Sequence, residues 1–308
     1  MEHLGLGWVL LASTLFGTAA TCSRRDVRAI TEKVMDMAWD SFDDQYQGCS
    51  RMMEEKLKTV NRNEFQNNTY ADTWGKAAEH WQKQWGNSNR PQVLPQEQAV
   101  AVLAYTDKED LSKQLNEAML EGGRSRDYYL QSFHFKMLHF LLTEAVHTLQ
   151  KTQRPKCNNV YRGTTDRFTA QINESVRFGQ FASASFNKNI AQGFGQDTLF
   201  VVNTCYGVSI RSFSFYPEQE EVLIPPYEVF KVTDVTSNSR TSIIHLKSHG
   251  MCSTLNCTLV NEKMWKARRC VLSSGKRRAP SPFPRPAPCW HPPAVINSLF
   301  PPPGTSSP

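Results

Sequence analysis

The chain has 308 residues, of which 40% are hydrophobic and 21% are charged. This length and composition allow one large domain or two small ones with a sizeable core, and they exclude an intrinsically disordered chain. The 35 basic and 29 acidic residues give a formal net charge of +6. No run of basic residues lies among aromatic residues, so a nucleic-acid groove is not expected.

The first segment has the pattern of a secretory signal. Apolar residues run from Leu4 to about Phe16 and meet small residues at 17–20, as at a signal cleavage site. We therefore predict a signal peptide at 1–20 and a secreted, extracellular protein. In that setting the eight cysteines favour a disulfide framework, although their spacing does not show how they pair. Three glycosylation sequons agree with the same route, and they begin at Asn67, Asn173 and Asn256.

The first half of the chain has helical periodicity. It predicts one helix over 27–42, a second along the stripe of Trp74, Ala78, Trp81 and Trp85, and a third over 130–149. The third helix shares its face among Leu130, Phe133, Met137, Phe140 and Leu141. We interpret these aromatic stripes as buried faces and not as cofactor contacts.

After Cys157 the pattern changes to short β-branched and aromatic runs, which predict strands. These runs are 160–162, 198–202, 208–210, 222–224, 229–232 and 242–246. Helices followed by strands, without alternation, indicate an α+β fold and not a doubly wound parallel sheet.

The C-terminal segment 275–308 is dominated by proline, since positions 280–308 hold 11 of the 17 prolines in the chain. Proline lacks a backbone donor for regular structure, so we predict a disordered tail. No long apolar stretch closes the chain, and we therefore expect neither a transmembrane helix nor a lipid-anchor signal there. The predicted product is released and carries no membrane anchor.

Several common catalytic motifs are missing from the sequence, namely the GxxxxGK[ST] phosphate loop, the GxSxG elbow, HExxH and a GxGxxG after a strand. A metal site is not expected either. Cys252 and Cys257 lack a second close pair, and His245 and His249 lie in a strand and its exit, where a spacing of four does not converge.

Polar residues on the strands are the remaining candidates for chemistry. Arg162 precedes Gly163 on a strand, so its guanidinium could hold a pyrophosphate while the glycine lets a ligand come close. Ser183 and Ser185 share one face of the next strand. Without further context the arginine is more often an ordinary surface ion-pair partner, and the serines more often lie solvated on a β-edge.

An acidic cluster, Glu218-Gln219-Glu220-Glu221, leads directly into the apolar run at 222–224. If this stretch is a strand, alternation places Gln219 and Glu221 on one side and Glu218 and Glu220 on the other. Such a cluster is usually a solvated turn, but its position beside a core strand makes a functional role a serious alternative.

An arginine on one strand, a Ser-x-Ser on a second and an acidic cluster opening a third together resemble the arginine, serine, glutamate triad of the vertebrate ecto-mono-ADP-ribosyltransferases. Flanking stretches share the resemblance over roughly 35–260. They are Ser41-Phe42-Asp43-Asp44-Gln45-Tyr46-Gln47-Gly48-Cys49, Ala104-Tyr105-Thr106, Val160-Tyr161-Arg162-Gly163, Arg177 through Ser185 and Glu220 through Phe230.

The resemblance implies an N-terminal helical region at 21–70 and a disulfide-bonded β-sandwich catalytic domain at 71–265 with a cleft for NAD as co-substrate. NADP is a second possible co-substrate. By the same resemblance, Cys49 pairs with Cys257 and Cys157 with Cys205, while Cys22, Cys252, Cys270 and Cys289 stay unassigned.

The resemblance also implies roles for the residues of the cleft. Glu221 stabilises the oxocarbenium-like centre formed when nicotinamide leaves, Ser183 steadies Glu221, and Arg162 holds a phosphate or ribose. Further NAD contacts are implied at Tyr105, Gln180 and Ser214.

Gln219 departs from the arginine-specific members, which have glutamate at this position. An amide can neither act as a base nor pair ionically with a guanidinium. Three functions therefore remain open: transfer of ADP-ribose to arginines of extracellular or cell-surface proteins, mainly NAD hydrolysis, or a catalytically silent secreted binding module.

Overall fold

The computed structural model describes residues 32–88, 92–107, 110–153, 157–238, 240–261 and 268–272. The predicted signal at 1–20, the tail at 275–308, Cys22 and Cys289 lie outside these residues. In the described residues, six helices follow a short first strand, and a seventh short helix lies among the later strands. They are α1 (Ser50–Glu64), α2 (Asn68–Trp85), α3 (Gln96–Thr106), α4 (Leu111–Gly122), α5 (Arg126–Ser132), α6 (Lys136–Thr152) and α7 (Lys188–Gly193).

The strands come mainly after residue 157, which confirms the predicted α+β fold. They are β1 (Lys33–Val34), β2 (Asn158–Thr164), β3 (Phe168–Thr169), β4 (Ser175–Val176), β5 (Ala182–Ser185), β6 (Thr198–Thr204), β7 (Val208–Ser209), β8 (Glu221–Ile224), β9 (Glu228–Ser237), β10 (Ser242–Ser253) and β11 (Arg269–Leu272). All six predicted strand runs fall on strands, with Ile210 one residue beyond the end of β7.

Nine strands form one hydrogen-bonded order, β4-β9-β10-β6-β2-β5-β8-β7, with β11 added to β10. The order is weakest between β2 and β5, where a single residue pair, Tyr161 with Ser185, joins the two strands. Val176 of β4 and Ile224 of β8, from opposite parts of the order, lie in the same apolar cluster. The sheet therefore curves around its own core, which is the sandwich expected from the resemblance.

A second apolar cluster belongs to the helices and to the strand residues that face them. It includes Met53 and Leu57 of α1 together with Tyr70 and Ala77 of α2, so the core continues across the predicted boundary at residue 70. The stripe from Trp74 to Trp85 on α2 is partly buried against this cluster. The site described below lies where the helical layer meets the strands.

The helix predicted over 27–42 is wrong for residues 32–42, which form the short strand β1, extended backbone and a turn. The reason is a distant arginine. Arg177 is buried and donates hydrogen bonds to the carbonyls of Met37 and Ala38 and to the carboxylate of Asp43. These interactions use carbonyls that a helix would need for its own i to i+4 bonds.

The single helix predicted over 130–149 is also wrong, because the chain leaves helical geometry between α5 and α6. Glu64 explains the break. Its buried carboxylate accepts the backbone N–H groups of Lys136 at 2.7 Å and Met137 at 3.0 Å. A negative charge bonded to the first free N–H groups starts a new helix at Lys136.

Three disulfides join the described residues. Cys49 is bonded to Cys257 and Cys157 to Cys205, the two pairs implied by the resemblance. A third disulfide joins Cys252 of β10 to Cys270 of β11. Cys252 and Cys257 are thus both oxidised. None of the helices in the described ranges has the length and apolar composition required to cross a bilayer.

Candidate active site

A cleft of about 830 Å³ lies between α3 and α4 on one side and β2, β5 and β8 on the other. This volume is in the range of sites that bind cofactor-sized molecules. Five of the predicted site residues line the cleft, together with Gln219. They are Tyr105, Arg162, Gln180, Ser183 and Glu221.

The pairing of β5 with β8 brings the serines to the glutamate. Ser183 is opposite Leu223, and Ser185 is opposite Glu221. Residues opposite each other point to the same face, and so do residues two apart on one strand. Ser183, Ser185 and Glu221 therefore share the face that lines the cleft. Strand β5 lies between β2 and β8, which excludes the alternative that its serines lie on a solvated edge.

Glu221 is a buried carboxyl, with 8% of its surface exposed. Burial raises its pKa above the ordinary glutamate value, and the hydrogen bond from Ser183 and the positive charge of Arg162 oppose that rise. The backbone carbonyl of Glu221 accepts the N–H of Ile210 at 3.0 Å. The backbone at Glu221 is therefore fixed, and its carboxyl shares the cleft with Ser183 and Arg162.

Arg162 lies on β2, which is paired with β6 over seven residues. Its Nη1 donates to the backbone carbonyl of Ser183 at 2.7 Å. Burial lowers the pKa of the guanidinium, while Tyr105, Glu221 and Asp166 raise it, and arginine remains a cation at neutral pH. Within the described residues no other hydrogen bond of this guanidinium is formed, so its remaining N–H groups can serve a ligand oxygen.

The sequence interpretation of Gly163 needs a correction. A Cβ at this position would lie 2.2 Å from the carbonyl oxygen of Ala191 and 2.4 Å from that of Gly195. The backbone at the end of α7 therefore takes the space expected for a ligand. Gly163 lets α7 pack against β2, and a larger residue there would displace the wall of the cleft.

The three further predicted contacts have different positions. Tyr105, at the end of α3, is buried, and its hydroxyl donates to the Phe181 carbonyl at 3.1 Å. Gln180 lines the cleft just before β5. Ser214 is buried outside the cleft lining, and its hydroxyl accepts the N–H of Tyr216 at 3.0 Å, which supports the loop that leads to Gln219.

The acidic cluster is not a continuous strand. Residues Pro217–Gln219 form one turn of 3₁₀ helix, and Glu220 follows in a left-handed conformation with φ of 47°. Strand β8 begins only at Glu221. Gln219 and Glu221 nevertheless both line the cleft, whereas Glu220 pairs with Arg211 at 3.2 Å. Glu218 is exposed and is absent from the cleft lining.

Asn116 of α4 is a cleft residue that the sequence interpretation missed. Its Nδ2 donates to the Tyr105 hydroxyl at 3.1 Å. The sequence around it shows only the core stripe of Leu111, Leu115 and Met119, and a polar residue beside such a stripe has the pattern of solvent exposure. No local signal distinguishes it. Among the described residues, no group of three or more His, Cys, Asp or Glu side chains could hold a metal ion.

The family model for NAD:arginine ADP-ribosyltransferases matches residues 35–254. The chain belongs to the NAD:arginine ADP-ribosyltransferase family. Chicken (Gallus gallus) erythroblast NAD(P)(+)–arginine ADP-ribosyltransferase is 51% identical to it over 96% of this chain and 98% of that protein. The human (Homo sapiens) GPI-linked NAD(P)(+)–arginine ADP-ribosyltransferase 1 is 44% identical over 89% and 88% of the two chains.

Solved structures of ADP-ribosyltransferases have the same fold. The eukaryotic mono-ADP-ribosyltransferase ART2.2 is 36% identical, with a TM-score of 0.62 over 73% of this chain and 98% of its own. A mutant of that ADP-ribosyltransferase in complex with NAD aligns with a TM-score of 0.63 and the same coverage. The α+β fold of this chain is thus the fold of solved mono-ADP-ribosyltransferases.

Proposed function

We propose that this protein is a mono-ADP-ribosyltransferase whose cleft binds NAD and whose Glu221 stabilises the transition state of nicotinamide release. One observation carries the proposal. Glu221 is a buried carboxyl, and it lines the same cleft as Ser183 and Arg162, a cleft large enough for a dinucleotide. An NAD-bound relative with the same fold supports the choice of substrate.

The chemistry follows from the bond that breaks. The glycosidic bond between ribose C1′ and the nicotinamide nitrogen cleaves, and its electron pair leaves with neutral nicotinamide. The ribose develops an oxocarbenium-like positive charge, which the Glu221 carboxylate stabilises at short range. Arg162 holds an anionic oxygen of the pyrophosphate with its free N–H groups, and Tyr105 and Gln180 supply further contacts from the cleft wall.

The acceptor, either an arginine side chain or water, attacks C1′ and loses one proton. Gln219 is the residue that we expect to decide between these two acceptors. It lines the cleft two residues before Glu221, where its amide can hydrogen-bond but cannot take a proton or pair ionically with a guanidinium. Protein arginine is the acceptor that we propose. Water is the second candidate, because Gln219 supplies no carboxylate and Glu218 and Glu220 are not part of the cleft lining.

The test is an incubation of the purified protein with labelled NAD, with and without agmatine as a soluble guanidine acceptor. Predominant ADP-ribosyl-agmatine supports arginine transfer, and predominant free ADP-ribose identifies a hydrolase. Gln219→Glu should raise the share of agmatine adduct, while the control Glu218→Gln, at an exposed position, should leave it unchanged. No release of nicotinamide by the wild type would overturn the proposal and favour a silent binding module.

NADP is a second co-substrate in this proposal, since the chicken and human relatives carry NAD(P)(+) in their names. Competition between labelled NAD and unlabelled NADP measures its use. If NADP neither inhibits nor is cleaved, the site is specific for NAD.

We propose further that the protein acts outside the cell, on arginines of extracellular or cell-surface proteins. The signal peptide predicted at 1–20, three disulfides and an exposed sequon at Asn173 support this. Some relatives are named GPI-linked, so release and anchoring are the two outcomes to separate. Expression of the full chain in vertebrate cells, with assay of medium and phospholipase-treated membranes, decides between them.

The sequon at Asn173 is accessible in the folded chain, whereas the sequon at Asn256 is not. Asn173 is exposed, whereas Asn256 is buried, donates its amide to the Gln47 carbonyl at 3.1 Å and precedes the disulfide-bonded Cys257. We expect a glycan at Asn173 and none at Asn256. Glycosidase treatment in heavy-oxygen water, followed by peptide mass spectrometry, would reveal a modified Asn256 if this expectation is wrong.

A further inference from the structure

We propose that Thr106 is a positioning residue for the acceptor turn, the single 3₁₀ turn Pro217–Gln219. Its hydroxyl holds the chain just before this turn against the helical layer, and it thereby influences whether ADP-ribose passes to a guanidinium or to water. The proposal rests on the role of Gln219 proposed above. It goes beyond that role by assigning the support of the acceptor turn to a residue on α3.

Thr106 is the last residue of α3 and directly follows Tyr105. It is buried, with 9% of its surface exposed, and it lines the cleft. Its hydroxyl donates to the carbonyl of Leu103 at 2.9 Å and accepts the N–H of Phe215 at 3.2 Å. A hydroxyl can make both bonds because it has one proton to donate and two lone pairs. The first bond lies within α3, and the second crosses to the chain that leads to the acceptor turn.

Three residues separate Phe215 from Gln219, and the backbone between them is held by hydrogen bonds. The N–H of Tyr216 donates to the Ser214 hydroxyl at 3.0 Å, and the Tyr216 carbonyl accepts the N–H of Gln219 at 2.9 Å. Pro217 opens the turn with a φ that its ring fixes. Because so few torsions are free in this segment, a displacement at Phe215 is transmitted to Gln219.

Two aromatic contacts determine where this loop lies on the helical layer. Phe213 packs against Trp85 of α2 with ring centroids 5.9 Å apart, and Phe215 packs edge-on against His80 at 4.8 Å. Apolar burial is not directional, so these contacts do not set the orientation of a peptide unit. The hydrogen bond from Phe215 to Thr106 is directional. It therefore fixes the backbone orientation from which the acceptor turn begins.

The acceptor turn is thus held on two sides by hydroxyl groups. Ser185 bonds the carbonyl of Gln219 from the strands, and Thr106 bonds the N–H of Phe215 from the helical layer. Loss of the Thr106 hydroxyl leaves this N–H without its partner, and the backbone must shift to satisfy it elsewhere. The amide of Gln219, which lines the cleft, then no longer has a fixed position toward the acceptor.

The experiment compares Thr106→Val with Thr106→Ser. Valine keeps the shape of threonine but can neither accept from Phe215 nor donate to Leu103, whereas serine retains the hydroxyl. In the labelled-NAD assay, Thr106→Val should raise the KM for agmatine. It should also lower the ratio of ADP-ribosyl-agmatine to free ADP-ribose by about fivefold, the equivalent of one hydrogen bond. The KM for NAD should change by about twofold or less, and Thr106→Ser should keep the wild-type ratio.

Three results would overturn the proposal. The first is a wild-type product ratio in Thr106→Val. The second is an equal change in Thr106→Ser, which would show that the hydroxyl is not the group that acts. The third is an equal rise in the KM values for agmatine and NAD, which would indicate damage to the whole cleft.

The matched control is Thr143→Val, which makes the same chemical change on α6. Thr143 is fully buried, and its hydroxyl donates to the carbonyl of His139 at 2.8 Å, one turn earlier in the same helix. It is absent from the cleft lining. We expect this control to keep the wild-type product ratio. An equal change in the ratio would trace the effect to a general loss of stability and contradict a specific role of Thr106.

A second readout does not depend on turnover. Hydrogen–deuterium exchange, followed by mass spectrometry of peptides that cover 213–221, measures how often the N–H groups of this loop open. We expect Thr106→Val to speed exchange in this segment by about fivefold, while Thr106→Ser and Thr143→Val keep the wild-type rate. Unchanged exchange in Thr106→Val would reject the positioning role. Faster exchange, in a protein whose wild type forms no agmatine adduct, would reject only the proposed transfer to arginine.

Discussion

The hydroxyl of Ser185 donates to the backbone carbonyl of Gln219 at 2.7 Å. This bond ties the 3₁₀ turn before Glu221 to the end of β5, on the strand that also holds Ser183. The same hydroxyl accepts the N–H of Asn187 at 3.0 Å. One buried serine therefore links Gln219, the residue proposed to separate the two acceptors, to the strand that pairs with Glu221.

Ser185→Ala should loosen this turn while leaving Glu221 in its strand. We expect the free energy of unfolding to fall by about 1 kcal/mol, the usual net contribution of a lost hydrogen bond. The share of ADP-ribose passed to agmatine instead of water should also change, because the amide of Gln219 is no longer held at the cleft. Urea unfolding and the labelled-NAD assay measure the two effects. An unchanged product ratio would show that the turn is fixed by other contacts.

Glu221→Gln should abolish nicotinamide release, because a neutral amide cannot stabilise the developing positive charge. The pKa of Glu221 is raised by burial, so wild-type activity should disappear on acidification at a pH above the ordinary glutamate range. The raised pKa also determines how the free energy of unfolding depends on pH. Protonation of the Glu221 carboxyl stabilises the folded form. The Glu221→Gln variant should therefore be more stable than the wild type at neutral pH and should lose that advantage in acid.

The control for this prediction is Glu218→Gln, which removes an exposed carboxylate from the same cluster. It should retain activity and the wild-type pH profile. Substantial nicotinamide release by Glu221→Gln at any pH would contradict the site assignment.

Arg177→Ala should destabilise the fold by about 3 to 5 kcal/mol, since it leaves the buried carboxylate of Asp43 without its cation. Both side chains of this ion pair are fully buried. The control is Arg211→Ala, which breaks an exposed pair with Glu220 and should cost about 1 kcal/mol or less. Chemical denaturation of the two variants measures the difference, and similar losses would contradict the structural role of Arg177.

Glu228 should make stability depend on pH. Its carboxyl is buried, and desolvation raises its pKa to about 7 despite hydrogen bonds from Ser248, Thr204 and the N–H groups of Cys205 and Tyr206. The folded state thus holds a proton that the unfolded state has released. The protonated Glu228 carboxyl therefore contributes to the free energy of unfolding. This contribution is complete below about pH 4.3 and is lost as the pH rises to 7, at about 1.4 kcal/mol per pH unit.

The comparison variant is Glu228→Gln, which cannot titrate. The difference in free energy of unfolding between wild type and variant, measured from pH 5 to 8, should follow this slope and become constant above pH 7. A difference independent of pH would mean that the carboxyl ionises as in an exposed glutamate.

The strands were predictable because their signals are local, whereas the residues of the cleft were assigned through the resemblance to the family. Runs such as 160–162 and 222–224 are short β-branched or apolar stretches that predict strands locally, and the pairing of β5 with β8 then places Ser183 near Glu221. The helix predicted over 27–42 failed because the carbonyls of Met37 and Ala38 bond Arg177, about 140 residues away. Asn116 was missed for the same reason, since its hydrogen bond to Tyr105 forms only in the folded chain.

The disulfide between Cys49 and Cys257 closes a covalent ring that spans 208 positions of the sequence. Tyr105, Arg162, Ser183 and Glu221 all lie inside that ring. A protease outside the cell that cuts once between the two cysteines therefore opens the chain without releasing either piece, and the cut enzyme migrates as one band until a reductant is added. Nicking alone thus leaves Arg162 and Glu221 covalently joined, whereas nicking followed by reduction separates them whenever the cut falls between them.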